Sequence, residues 1–517
     1  MANKTLFQTT AEQLPRATDT VNGASAPAYA FEPRHVLAQY AATGCLNGTF
    51  YSTAEMQLDE IVRACDRVPA TFIAKTALYS RERGFMKDMP ALLCALLSVQ
   101  DAALFERIFD RVIDDGKMLR NLVQILRSGQ VGRKSLGSLP KRMVQWWFAS
   151  RSDEQIFRAS IGNDPSLGDV IKMAHPRPQT ASRRALYGYL AGRPYDADAL
   201  PEIVQRFEAY KRNPGEFASV PNVPFQLLTA LPLDSQAWRE IACNATWQQT
   251  RMNLSAFARH GVFEHRRPRE TVIARLRNRQ EIEKARVMPY QLMTAYLAAS
   301  NGVPEKVRDA LQDALQIALG NVPAISGKVY VCCDVSGSMS SPLTGHRQGA
   351  TTTVRCIDVA ALFAAAMLRK NDAEVLAFEN NVVSLRLNRR DTVMTNARKL
   401  ASIGGGGTNC SAPLAQLNAH KAYGSLIVYV SDNESWLDAG GRGTAMMREW
   451  MEFKARNPEA KLVCIDLQPN KTTQAYDDRS ILNVGGFSDA VFDLVAMFAK
   501  TGRETRHWVD VIEQVQL

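Results

Sequence analysis

From about Glu32 to Leu319 the apolar residues recur at helical spacing. Leu104, Ile108, Phe109, Val112 and Ile113 make one stripe, and Leu119, Leu122, Val123 and Leu126 continue it. Short breakers separate such segments: Arg83-Gly84, Asp88-Met89-Pro90, Gly162-Asn163-Asp164-Pro165 and Pro214-Gly215. No strand pattern interrupts this stretch. Many short helices joined by short turns predict a helical-repeat array, although no clean sequence period marks it.

At about Asn321 the texture changes. KVYVCC (Lys328–Cys333) is a β-branched apolar run ending at an acidic residue, and AEVLAF (Ala373–Phe378), SLIVYV (Ser425–Val430) and KLVCIDL (Lys461–Leu467) repeat the pattern. Amphipathic helices are predicted between them over Thr352–Lys370, Val393–Ile403, Pro413–His420 and Thr444–Arg456. Apolar strands alternating with helices predict a doubly wound α/β sheet. The domains are therefore read as a flexible arm over 1–30, helical repeats over 31–320 and an α/β domain over 321–517.

Composition narrows the class. At 517 residues, two or three domains are expected. With 46% hydrophobic and 22% charged residues the chain is globular rather than disordered. Its longest apolar stretches, Ala91–Val99 and Val359–Leu368, reach only about half a bilayer span. The N-terminal segment lacks the apolar core of a secretory signal, so the expected location is cytoplasmic, with no membrane partner. Nine scattered cysteines without a C-x-x-C pair read as buried, reduced thiols.

Charge is unevenly shared. Lys and Arg exceed Asp and Glu by only 21 to 20 from Lys328 onward, but by 41 to 32 before it. An excess of +9 on the helical part suits either a polyanionic partner, usually nucleic acid, or a merely basic surface.

The chemistry gathers at the carboxyl ends of the predicted strands, where ligands bind in such sheets. The first strand runs into DVSGSMS, giving Asp334-x-Ser336-x-Ser338. The loop Gly404–Gly407 delivers Thr408, and SLIVYV ends in Ser431-Asp432. Two carboxylates and three hydroxyls form an all-oxygen site suited to Mg²⁺ or Mn²⁺. Neutral hydroxyls leave such an ion residual positive charge, so it can accept an acidic oxygen from a protein partner. The competing reading makes Asp334 and Asp432 helix caps and Thr408 a turn residue. No P-loop, zinc-protease motif or G-x-S-x-G elbow is present, so nothing demands catalysis and the chain is not expected to be an enzyme.

Two basic clusters stand out in the helical part. Ten Lys and Arg lie between Arg251 and Arg286, and Arg275 and Arg279 are spaced to share a helical face. The second cluster joins Val131–Phe148 to Asp169–Pro178. There Arg133, Lys134, Lys141, Arg142, Lys172, His175 and Arg177 are interleaved with Trp146 and Trp147. Aromatic rings beside basic groups can stack unpaired bases, or simply pack helices.

The loop constellation resembles the metal-ion-dependent adhesion site of von Willebrand factor A domains. In that family Ser336 and Ser338 would ligate the ion directly, and Asp334, Thr408 and Asp432 directly or through water. More broadly, DVSGSM, LAFENNVV, GGGGTNCSAPL, VYVSDNESW and PEAKLVCIDLQPNKTT resemble the Ro ribonucleoprotein autoantigen family, as do KRMVQWW, DVIKMAHPRP and EKARVMPYQLMTAY. That family joins a TROVE module to a von Willebrand A domain, and the similarity points to a bacterial member. It implies a HEAT-like helical-repeat ring, monomeric and closed at the A domain. It also implies Y-like noncoding RNA on the basic outer surface, and single-stranded 3′ ends of misfolded or unprocessed RNA in a central hole. An exoribonuclease would be reached through the RNA. On this resemblance Lys141, Arg142, Lys172 and His175 fall on the outer RNA-binding helices, and Arg251 and Arg259 at the hole. The alternative is a metal-dependent protein-binding scaffold that uses the A domain without an RNA role.

Overall fold

The computed structural model describes residues 14–214, 219–285, 287, 289–299, 302–319, 322, 324–346, 354–436, 442–500 and 508–517. The described residues fall into two compact units. One gathers those of Met1–Phe72, Arg83–Met89 and Leu319–Gln516, the other those of Ile73–Glu82 and Pro90–Ala318.

The second unit is helical throughout its described residues, as the spacing predicts. Helix Ala102–Val112 buries Leu104, Phe105, Ile108, Phe109 and Val112 on one stripe. Helix Gly116–Arg127 does the same with Leu119, Leu122, Val123 and Leu126. Each begins at an aspartate: Asp101 accepts from the Leu104 N–H at 3.0 Å, and Asp115 from the Met118 N–H at 2.8 Å. Such a cap is worth about 1 kcal/mol and fixes where each helix begins.

The first unit is built on β1 (Thr20–Val21), β2 (Pro27–Ala30), β3 (Val329–Asp334), β4 (Ala373–Phe378), β5 (Val382–Val383), β6 (Leu426–Ser431), β7 (Lys461–Asp466), β8 (Thr472–Thr473) and β9 (Ile481–Gly485). The main sheet runs β5-β4-β3-β6-β7-β9, parallel except for β5. Alternation decides its faces. Tyr330, Cys332, Leu376, Phe378, Ile427, Tyr429, Leu462 and Cys464 pack with Met446, Met447, Trp450 and Phe453 of helix Ala445–Arg456. Helix Cys356–Lys370 packs against β3, β4 and β6, buried except for Arg369 and Lys370. Thr352 and Thr353 of the predicted helix lie outside the described residues. All nine cysteines are free, seven of them buried.

Four of these strands follow the predicted runs, whereas β9 does not show in the sequence. Its middle residue, Asn483, breaks the apolar run. Asn483 is fully buried, donating to the Ala475 carbonyl at 2.8 Å and accepting from the Thr473 hydroxyl at 2.9 Å.

The N-terminal arm also differs from expectation. Residues 1–13 lie outside the described residues, but 14–30 are structured. β1 and β2 form an antiparallel pair, and β2 continues onto β8 with Tyr29 opposite Thr473. Tyr29 enters the core of the α/β unit and its hydroxyl donates to the Arg16 carbonyl at 2.8 Å. Strands of two and four residues carry too few alternations to be read from a Thr- and Ala-rich segment. The boundary expected between 30 and 31 accordingly gives way to one near Phe72.

Chain order places the site. From β3 the chain crosses to β4 on one side and later returns as β6 on the other. The topological switch point lies between β3 and β6, whose carboxyl ends carry Asp334 and Ser431-Asp432.

Candidate metal centre and nucleic-acid interface

The parallel register sets Cys333 beside Val430, so the next residues, Asp334 and Ser431, meet at the strand ends. The Ser431 hydroxyl donates to Asp334 Oδ2, and the Ser336 N–H donates to Asp334 Oδ1 at 2.9 Å. Ser336 and Ser338 hydroxyls lie 3.2 Å apart, and the Ser338 side chain works against the burial that raises Asp432. Thr408 joins the same loop cluster through the backbone: Gly337 N–H donates to the Gly406 carbonyl at 3.2 Å, and Ser435 Oγ to the Thr408 carbonyl at 3.3 Å. Asp334, Ser336, Ser338, Thr408 and Asp432 are all buried.

The glycine loop has a steric reason. Gly406 has φ +70°, and a Cβ there would lie 2.1 Å from Glu379 Oε2. A Cβ on Gly407 would lie 2.2 Å from the Trp436 ring. Asn380 holds the loop, accepting from the Gly407 N–H at 3.2 Å and receiving the Asn409 amide on its carbonyl at 3.0 Å.

Electrostatics tests whether a cation fits. Burial pushes Asp334 upward, the Asp432 charge adds to it, and burial pushes Asp432 upward too. Among the described residues no Lys, Arg or His pairs with either carboxylate. Among the described residues no group of three or more His, Cys, Asp or Glu is placed to hold a metal, so the donors on offer are two carboxylates with hydroxyls. Two buried carboxylates without a counter-charge, edged by hydroxyls, fit a hard divalent ion.

Further acids lie outside the spacing argument. Glu434, pushed up to about 8 by burial and then by Asp432, accepts from the Gly23 N–H at 2.6 Å. Asp466, also pushed up chiefly by burial, accepts from Gln39 Nε2 at 2.8 Å through Oδ2, while its Oδ1 is unpartnered. The SDNE stretch displays Glu434, but its burial depends on residues four hundred positions away.

These raised values have a definite sign. A carboxyl whose folded pKa exceeds its unfolded value stabilises less as pH rises from about 4 through the folded pKa. Without divalent ions the chain should therefore melt lower at pH 8.5 than at pH 6. Asp466→Asn should raise the melting temperature by roughly 1–2 °C at pH 8.5, about 1 kcal/mol, and by less at pH 5. A gain of equal size at both pH values would refute the assignment.

The basic residues sort into two kinds. Helix Ser138–Ala149 and helix Leu167–Ala174 are tied by Gln145, whose Nε2 donates to the Ala174 carbonyl at 2.7 Å. This brings exposed Arg142 and half-buried Lys141 beside exposed Lys172, His175 and Arg177. Lys134 is exposed as well. Arg142 makes a surface ion pair with Glu106 at 3.2 Å, and Lys172 one with Asp169 at 3.6 Å. Such pairs are worth at most about 1 kcal/mol and yield readily to a stronger anion. The two tryptophans part company. Trp147 is 1% exposed and its Nε1 donates to the Ile113 carbonyl, whereas Trp146 is 42% exposed, one helical turn from Arg142.

Other arginines turn inward, contrary to expectation. Arg133 donates to the Ser98 carbonyl at 2.5 Å, and its Nε is buried. Arg251, expected at the hole, donates to the Gln291 carbonyl at 2.9 Å and is pushed down to about 10 by burial. Arg275 serves the Ala242 and Cys243 carbonyls, and Arg279 starts a separate helix, so the two share no face. Arg259 is exposed at the end of helix Leu254–Arg259. Carbonyls left bare at helix ends attract guanidinium groups, and sequence spacing does not reveal which arginines they recruit.

Comparison with known proteins agrees with this architecture. Residues 328–499 match the model of the Ro60 vWA domain. The chain is 24% identical over 514 residues to the RNA-binding protein RO60 of Deinococcus radiodurans, covering 93% of this chain and 95% of that protein. It is 23% identical over 270 residues to the RNA-binding protein RO60 of Caenorhabditis elegans, covering 48% of this chain and 39% of the other. The crystal structure of the D. radiodurans RO (RSR) protein has the same fold, with a TM-score of 0.62 at 20% identity over 91% of this chain and 99% of that one. Residues 328–499 are thus similar to the Ro60 vWA domain family, and the similarity to Ro proteins extends along nearly the whole chain.

Proposed function

We propose that this chain is an RNA-binding protein without a catalytic step of its own. The observation that carries the reading is exposed Trp146, one turn from Arg142 and beside Lys172, His175 and Arg177. An aromatic face among phosphate-seeking cations suits RNA with unpaired bases, and the charge excess before Lys328 adds attraction that does not depend on sequence. Two similar proteins are named RNA-binding, which supports the same reading.

The finer function follows the family resemblance. Structured, Y-like RNA binds the Lys141–Arg177 surface, and single-stranded 3′ ends of misfolded or unprocessed RNA are a second substrate. The role is RNA quality control in the cytoplasm, with an exoribonuclease recruited through the RNA. In the α/β unit, Asp334, Ser336, Ser338, Thr408 and Asp432 would hold Mg²⁺ or Mn²⁺, supplying a positive site for an acidic oxygen.

The test is a salt titration with two RNAs of identical stem, one blunt and one with a single-stranded 3′ tail. Tighter binding of the tailed RNA is expected, with affinity falling steeply as salt rises. Equal and negligible binding of both would overturn the reading in favour of a protein-binding scaffold.

A further inference from the structure

A cleft of about 650 Å³ opens in the helical unit between the first turns of helices Asp153–Ala159, Ala181–Ala191 and Glu202–Arg212. That is room for one small organic molecule. Its frame is fixed by bonds that use up most of its charge. Asp153 accepts from Arg183 Nε and, at 2.7 Å, from the Ser182 hydroxyl. Arg183 also donates to the Phe148 carbonyl at 2.7 Å and the Arg151 carbonyl at 2.6 Å. Arg158 pairs with Glu154 at 2.8 Å and donates to the Asn222 carbonyl at 2.7 Å, which ties down the Pro221-Asn222 wall.

Two charges in the cleft are left over. Glu202 and Arg206 both line it, one turn apart on helix Glu202–Arg212. Glu and Arg at this spacing ordinarily meet, as Glu154 and Arg158 do in the same cleft. Among the described residues, however, neither Glu202 nor Arg206 forms an ion pair, and Arg206 makes one side-chain hydrogen bond, to the Ser219 hydroxyl at 3.2 Å. Pro201, Ile203 and Pro221 supply apolar walls. A carboxylate and an open guanidinium fork thus border one apolar-walled space.

We propose that this cleft takes a single unpaired guanine base of the bound RNA. The inference rests on the RNA reading above and adds a base preference to it. A carboxylate accepts from two neighbouring N–H donors, and guanine alone among the four bases presents two donor groups, N1–H and N2–H₂, on one edge. Adenine, cytosine and uracil offer it one donor group each. The arginine fork donates to guanine O6 and N7. Unstacked bases are held in proteins by such edge contacts. Access fits as well: Gln179, which lines the cleft, lies two residues beyond exposed Arg177, and helix Ala181–Ala191 packs on helix Leu167–Ala174, which carries Lys172.

The experiment titrates the full chain with the 5′-monophosphates of guanosine, adenosine, cytidine and uridine, which share a phosphate and differ in base. The guanosine nucleotide should bind about ten-fold tighter than the others. Glu202→Gln sets an amide donor against a donor edge and should remove that preference, with the melting temperature kept because Glu202 is exposed. A stem whose single-stranded 3′ tail contains one guanosine should likewise outcompete the same stem with an all-adenosine tail, in the unmodified chain but not in Glu202→Gln. Equal binding of the four nucleotides, or a guanine preference that survives Glu202→Gln, would overturn the cleft assignment alone while the tailed RNAs still bind. Failure of the unmodified chain to bind either tailed RNA would overturn the RNA reading and the cleft assignment together.

Discussion

Replacing Asp334 by alanine is expected to weaken divalent-ion binding at least about 100-fold while leaving RNA affinity unchanged. Asp334 is buried at the end of β3 and faces Asp432. Losing one of two carboxylates leaves hydroxyls that cannot replace water around Mg²⁺ or Mn²⁺. The unmodified chain at a hundred-fold excess of ion over its Kd should gain about 2.7 kcal/mol of stability, and the variant none. Alanine also leaves the Ser431 hydroxyl and the Ser336 N–H without their acceptor. Asp334→Asn keeps an acceptor oxygen there and should lose metal all the same. Calorimetric titration with Mn²⁺, beside melting curves with and without the ion, reads both effects. A folded variant that loses RNA binding as well would show that the two sites are coupled.

Reversing charge at Lys141 and Arg142 together should weaken binding of structured RNA roughly 10- to 100-fold at physiological salt. Two phosphate contacts are lost and two repulsions added, so the slope of log affinity against log salt should fall by about two. Neither side chain supports the core: Arg142 is exposed and its one ion pair, to Glu106, lies at the surface. The melting temperature should therefore hold. Trp146→Ala should lower affinity for RNA with unpaired bases by about 1–3 kcal/mol and spare a blunt duplex. Trp147→Ala should instead unfold the helical unit, because it empties the space of a fully buried indole. Unchanged RNA affinity in the Lys141→Glu, Arg142→Glu double variant would refute the proposed surface.

The meeting of the Asp334 and Ser431-Asp432 loops was legible because both lie at ends of neighbouring strands. Asp334 and Asp432 close or follow apolar strands that parallel register sets side by side, and Thr408 follows the glycine run Gly404–Gly407. What spacing could not show was everything supplied from afar. Gly23 N–H reaches Glu434, Gln39 reaches Asp466, and Tyr29 reaches Thr444 across hundreds of residues. Glutamine and tyrosine in a helical or loop context carry no mark of such distant partners.

In the helical unit the buried stripes and their aspartate caps were readable, since period and capping act within one turn. The fate of each arginine was not. Arg142 faces solvent and Arg251 an internal carbonyl, although both sit in comparably basic stretches. A guanidinium is drawn either to phosphate or to a backbone carbonyl, and only the packing of neighbouring helices decides between them.

The union of residues 14–72 with the sheet that begins at β3 sets an order of events during synthesis. Tyr29 and the β1–β2 pair leave the ribosome early, yet β8, which β2 must join, is made some four hundred residues later. At about 5–20 residues per second, that interval is roughly 20 to 90 seconds. The helices of the second unit pack mostly on helices near them in sequence and are free to fold meanwhile. The opening segment must wait, its edges unpaired, until the last third of the chain emerges. Newborn chains of this protein therefore pass through a prolonged stage in which a folded helical body trails an incomplete front end, and that is the stage most open to chaperones and proteases.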